Sequence, residues 1–201
     1  MTAQRRRLAV LLSGRGSNFE AIADAVDRGE IRNSEIVAVI SDVEDAPGLR
    51  RGIERGLPVY PVPRGALGRR AHEDGIAKIL SAARPDLICL AGYMRVLSPE
   101  FVARYPGRIL NIHPALLPKF PGLDVQRRAL EAGESESGCT VHFVDEGTDT
   151  GPVILQRRVP ILPGDTVETL SERILAEEHR AYPEAIARVL ESLDPGEDKL
   201  H

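Results

Sequence analysis

The chain has 201 residues, 42% apolar and 28% charged, with a net charge of -4, aromatics at only 4% and no tryptophan. That is the composition of one well-buried domain, and it argues against a nucleic-acid partner, which needs a basic surface or a stacking platform. No apolar run approaches the roughly 18 residues of a membrane span, and Cys89 and Cys139 lack metal spacing and sit in apolar segments, as reduced thiols of a cytoplasmic protein do.

The basic run Arg5 to Arg7 reads as a solvated terminus ahead of the first strand. Short β-rich runs at Leu8–Leu12, Ile36–Ile40, Val59–Val62, Leu87–Leu90 and Ile109–Ile112 alternate with helical stretches at Asn18–Arg28, Gly48–Arg55 and Arg69–Ala83. A further helix is expected from Ser98, with Pro99 in its first turn. Near-continuous apolar strands separated by helices predict an α/β, doubly wound, mostly parallel sheet. After Gly138 the runs Thr140–Val144 and Val153–Val159 flank a turn rich in Gly and Asp, the pattern of an antiparallel extension. A long C-terminal helix should begin near Asp165, where Asp165 and Glu168 resemble a capping box, and reach about Leu190 with a possible break at Pro183. Residues 1–193 read as one domain and 194–201 as a polar, flexible tail.

Candidate chemistry gathers where parallel strands end, the edge at which open α/β sheets bind ligands. Ser13, Gly14, Arg15, Gly16, Ser17 and Asn18 join the first strand to the first helix; glycines admit a ligand to the backbone, and free amides at a helix start favour an anion such as phosphate. As a dinucleotide fingerprint the turn is weak, because Phe19 replaces the third glycine, although Asp42 after the second strand fits that reading. Asn111 and His113 share one face of a strand and precede a proline-bracketed loop. Asp149 stands in the turn before Gly151 and Pro152, either as a turn former or as the carboxylate partner of an amide and an imidazole that handle protons at a carbonyl carbon. Glu178 interrupts the stripe Val167, Leu170, Ile174, Ala181 and Ala185, so it either needs donors inside the protein or marks a mis-phased exposed face. His142 lines a site or is a half-buried strand histidine, and the loop Gly92 to Leu97 offers backbone groups to a flat heterocycle.

Together, the turn Ser13 to Asn18, the segment Ala91 to Leu97, the run Asn111 to Pro118 with Pro121 and Gly122, and the turn Asp149 to Pro152 closely resemble the phosphoribosylglycinamide formyltransferases, in order and spacing over nearly the whole chain. The resemblance implies a Rossmann-like formyltransferase fold and transfer of a formyl group from 10-formyltetrahydrofolate, a co-substrate, to the glycine amine of a ribosyl phosphate in purine synthesis, with no metal. It implies Asn111, His113 and Asp149 as the catalytic trio and Gly16, Ser17 and Asn18 as the phosphate turn. It further implies Glu178 as the acid on the ribose hydroxyls, and Arg69, Met94, Arg95, Val96 and Leu97, with Asn111, as the folate contacts. Leu175 stands where relatives often carry a polar sugar contact. Small-molecule substrates are the expected partners, with no nucleic acid or membrane, and the assembly is a monomer or a homodimer. The alternative is a formyltetrahydrofolate hydrolase, a family that usually carries a regulatory domain before the catalytic one; methionyl-tRNA formyltransferases, which extend further with an RNA-binding barrel and lack the Gly16, Ser17, Asn18 turn, are a weaker match. A dinucleotide oxidoreductase and a non-catalytic binder of ribosyl phosphate stand further off.

Overall fold

The structure, a computed structural model, describes residues 5–65 and 68–193. The expected tail at 194–201 lies outside the described residues. Strands β1 (Arg6–Leu12), β2 (Ser34–Ser41), β3 (Val59–Pro61), β4 (Leu87–Leu90), β5 (Ile109–His113), β6 (Glu136–Phe143) and β7 (Val153–Pro160) form one 7-stranded sheet in the order β3-β2-β1-β4-β5-β6-β7. β1 to β5 are parallel to their neighbours, whereas β6 runs antiparallel to β5 and β7 antiparallel to β6. Winding reverses between β1 and β4, and at such a switch point the loops diverge and leave a crevice at the carboxyl ends of the strands.

Helices α1 (Ser17–Asp27), α2 (Pro47–Glu54), α3 (Gly68–Ala83), α4 (Pro99–Val102), α5 (Val125–Glu131) and α6 (Val167–Ser192) cover the sheet. Because successive strand side chains point to opposite faces, β1 supplies two cores at once. Leu8, Val10 and Leu12 pack with Phe19 and Ile22 of α1, Leu49 of α2 and Leu170, Ile174 and Tyr182 of α6. Ala9 and Leu11 pack with Ile76 and Leu80 of α3 and Phe101 of α4. Each large side chain so buried contributes about 1.5–3 kcal/mol relative to exposure, and a one-residue slip would exchange the two faces. The same alternation decides where chemistry can sit. Leu110 and Ile112 of β5 belong to the α1/α6 core and Ile109 to the α3/α4 core, so Asn111 and His113 project on the α3/α4 side.

The doubly wound reading, the antiparallel extension and the long last helix match the observed fold, with differences at element ends. β1 starts at Arg6 rather than after the basic run: Arg7 donates its backbone N–H to Asp86 at 2.7 Å and its guanidinium to Glu35 at 2.8 Å, so this part of the run staples the strand instead of dangling in water. The cap of α6 is shifted by one residue. Thr166 and Thr169 form the capping box, while Asp165 accepts from Leu162 N and Arg173. The guanidinium of Arg173 holds the Asp165 carboxyl well below the usual carboxylate range. Pro183 does not break α6, which continues to Ser192. β6 begins four residues before the expected start, at Glu136, and α5 has no counterpart in the expected elements.

Candidate active site

The turn between β1 and α1 is shaped by close approach. Gly16 adopts φ +76°, and a Cβ there would lie 2.8 Å from the Cα of Gly48 at the start of α2, so only glycine fits both the conformation and the space. Glu20 and Arg51 pair across the same two helices. Asn18, in the first turn of α1, is buried and donates its amide to Glu178 Oε2 at 2.7 Å, leaving its own carbonyl oxygen buried without a partner. Glu178 is 7% exposed, which excludes the reading of a mis-phased exposed face. Burial pushes its carboxyl up to about 7, against the lowering effect of the Asn18 bond.

A second group forms at the ends of β5 and β6. His113, 5% exposed, has Nδ1 3.3 Å from Asp149 Oδ2 and Nε2 2.9 Å from the carbonyl of Phe120. Both ring nitrogens therefore face acceptors, an arrangement that an imidazolium satisfies with two donated bonds. Asp149 adopts φ +55° and accepts Gly122 N–H at 2.9 Å. Burial alone would raise its carboxyl, yet His142, the Gly122 amide and His113 together hold it below its ordinary value. His142 Nε2 stands 3.6 Å from Asp149 Oδ1, an electrostatic contact more than a close hydrogen bond. Its Nδ1 faces the Phe143 carbonyl at 2.8 Å, and the Asn111 amide nitrogen lies 3.2 Å from Nε2. Asn111 also reaches Asp149 Oδ1 at 3.5 Å.

These side chains line a cavity of about 380 Å³ that also takes in Tyr93, Met94, Arg95, Val96 and Leu97. The loop holding those residues is fixed from behind: Met94 N–H donates to Ser13 Oγ at 2.8 Å, Arg69 donates to the Val96 carbonyl at 2.9 Å, and His72 Nε2 lies 2.6 Å from the Tyr93 hydroxyl. The structure thus brings Asn111, His113, Asp149 and the 94–97 loop to one cavity, with Arg69 bonded to that loop. Gly16, Ser17, Asn18 and Glu178 do not line the cavity; they belong to a second group, tied to the cavity's loop through Ser13, whose N–H donates to the Gly92 carbonyl at 3.1 Å. His142 is placed among the trio rather than as an isolated strand histidine. Asp42 is buried against Arg95, with Nε to Oδ2 at 2.6 Å, so it cannot hold the ribose of a dinucleotide. Sequence reasoning missed the Phe120 carbonyl and the Gly122 amide, which act through backbone atoms and leave no side-chain signal. Both cysteines are free and buried, and burial pushes each thiol up to about 12. Among the described residues no cluster of His, Cys, Asp or Glu is arranged to hold a metal ion.

The sequence profile of the formyl transferase family matches residues 6–186. The chain belongs to that family. Its similarity to the phosphoribosylglycinamide formyltransferase of Escherichia coli K12 is 44% identity over 181 residues, 90% of this chain and 85% of that protein. It is 50% identical over 192 residues to the trifunctional purine biosynthetic protein adenosine-3 of Drosophila melanogaster, covering 94% of this chain but spanning only 14% of that longer protein. The crystal structure of glycinamide ribonucleotide transformylase 1 from Symbiobacterium toebii superposes with a TM-score of 0.91 at 49% identity, over 95% of this chain and 90% of that one. Within the same fold, a formyltetrahydrofolate deformylase from Pseudomonas syringae has a TM-score of 0.88 but 25% identity, over 98% of this chain and 65% of that chain.

Proposed function

We propose that residues 1–193 work as a catalytic domain that transfers the formyl group of 10-formyltetrahydrofolate to the glycine amine of 5-phosphoribosylglycinamide, a step of purine synthesis, in the cytoplasm. The observation that carries this reading is the pairing, on one sheet edge, of the Asn111, His113 and Asp149 group with a second subsite whose buried Asn18 and Glu178 suit a ribosyl hydroxyl. Water as the acceptor has no use for that second subsite, which favours the transferase over the hydrolase.

The uncharged amine attacks the formyl carbon, a C–N bond forms, and the carbonyl electron pair moves to oxygen. The Asn111 amide and the imidazolium of His113 stabilise this oxyanion, with Asp149 orienting the ring. For His113 to do so, the formyl oxygen must replace the Phe120 carbonyl as the partner of Nε2. Collapse of the intermediate breaks the bond to the folate nitrogen, which takes up a proton while the amine loses one. The aromatic-poor cavity with Met94 and Val96 exposed at 68% and 60% offers apolar contact to the pterin and benzoyl rings, and the free amides at the start of α1 suit the phosphate.

Mixing the protein with 10-formyltetrahydrofolate, with and without the ribonucleotide, and following the folate absorbance tests this. Deformylation that depends on the ribonucleotide is expected. Deformylation at the same rate without it would establish the hydrolase instead, and ribonucleotide binding with no reaction would leave a binding protein.

A further inference from the structure

Asp42, the acid that follows β2, is given no task by the proposed reaction, yet it is costly to keep. Its side chain is 1% exposed, Oδ2 accepts from Arg95 Nε at 2.6 Å, and Oδ1 is buried with no partner. A carboxylate with one oxygen unsatisfied in the interior is retained at a loss unless it serves something else. It does not line the cavity, whereas Arg95 does, with its side chain 45% exposed.

The other tethers of the loop act on backbone or on buried groups: Ser13 on Met94 N, Arg69 on the Val96 carbonyl, His72 on the Tyr93 hydroxyl, and Glu73 on Ser98 N at 2.8 Å. Asp42 alone among these grips a charged side chain that faces the cavity. It does so through Nε, on the flank of the guanidinium, and the two terminal amino groups make no hydrogen bond to any described residue. Those groups are the planar fork that suits a carboxylate. Arg69 is already engaged with Val96 and lies 3.9 Å from Glu73.

We propose that Asp42 is a positioning residue for donor recognition, holding the Arg95 guanidinium so that its terminal amino groups meet a glutamate carboxylate of the folate tail. This rests on the formyltransferase reading above. An arginine already fixed in its bound rotamer loses less freedom on meeting an anion, which favours binding by about tenfold. Neither Asp42 nor Arg95 is bonded to Asn111, His113 or Asp149, so the gain falls on donor binding and not on the chemical step.

The test compares two donors, 10-formyltetrahydrofolate and 10-formyltetrahydropteroate, which lacks the glutamate, in wild type, Asp42→Asn, Asp42→Ala, Arg95→Gln and the double variant Asp42→Ala/Arg95→Gln. Asp42→Ala should raise KM for the glutamate-bearing donor about tenfold with kcat held within about twofold, and leave KM for the pteroate unchanged. Asp42→Asn should move the same way by less, and Asp42→Ala should add nothing once Arg95 is Gln. An equal rise for both donors, no rise for either, or an additive loss in the double variant overturns the proposal. If the alanine variant does not fold, Asp42→Asn and the exposed Arg95→Gln make the same comparison of donors. A wild-type protein without ribonucleotide-dependent transfer would remove the reading itself before any variant is measured.

Discussion

Glu178 and His113 are both histidine- or acid-type groups in the interior, and their settings ask different things of them. Burial raises Glu178 to about 7, above the ordinary glutamate value, so the folded protein holds a proton that the unfolded chain releases. Stability from this group is complete below the unfolded value and is lost as pH rises through the window from there to about 7, by an amount of the order of 3 kcal/mol. Urea unfolding should therefore show wild type losing stability between pH 5 and about 7 (the interval of that shift) and Glu178→Gln losing much less; parallel curves would refute the assignment. A ribosyl hydroxyl donates best to the ionised carboxylate, so ribonucleotide affinity should rise through the same interval in wild type, beyond any rise seen in Glu178→Gln, which corrects for the substrate's own phosphate titration. His113 carries a different expectation. Its replacement by alanine removes a donor to the oxyanion and should lower kcat about 100-fold or more, while calorimetry finds the ribonucleotide dissociation constant within about threefold. Near wild-type turnover would dismiss the role given to the ring.

At the scale of elements, α6 does more than close the core. Tyr182, one helical turn beyond Glu178, is fully buried, and its hydroxyl lies 3.1 Å from the Leu90 carbonyl and 3.0 Å from the Leu110 carbonyl. It thereby bridges the last residue of β4 and the second residue of β5, just ahead in sequence of the loop Gly92 to Leu97 and of Asn111. Tyr182→Phe leaves two buried carbonyls without that donor and should cost about 1–3 kcal/mol in a urea titration; an unchanged midpoint would show that the carbonyls find other partners. The legibility of the elements followed the strength of their burial. β1, β4 and β5 are covered on both faces, and a continuous apolar run is a signal that a reader of sequence can use. β6 starts with Glu136, Ser137 and Gly138, residues of a loop by propensity, and is drawn into the sheet by pairing with β7. α5 begins after Asp124 in the left-handed region with no side-chain cap, so its start carries no capping signature. Asn111, His113 and Glu178 stood out because polar residues broke apolar patterns, and Asp149 only through its turn before Gly151 and Pro152 and the family resemblance, whereas the contact between Asp42 and Arg95 joins positions 53 residues apart that no local pattern connects.

The whole molecule sets the two subsites on opposite sides of one sheet. Asn18 and Glu178 come from α1 and α6, whose apolar faces share one core, while Asn111 and His113 stand on the side of β5 that holds Ile109 and the α3/α4 core. A molecule touching both must drape over the ends of β1 and β4, where Ser13 and Gly92 are bonded edge to edge. The thickness of the sheet is thus a ruler. Its length is set by backbone geometry that no single side chain can alter, so an acceptor of the proposed kind would be measured end to end: one that is too short would reach the phosphate turn proposed at α1 or the reacting carbon, and never both.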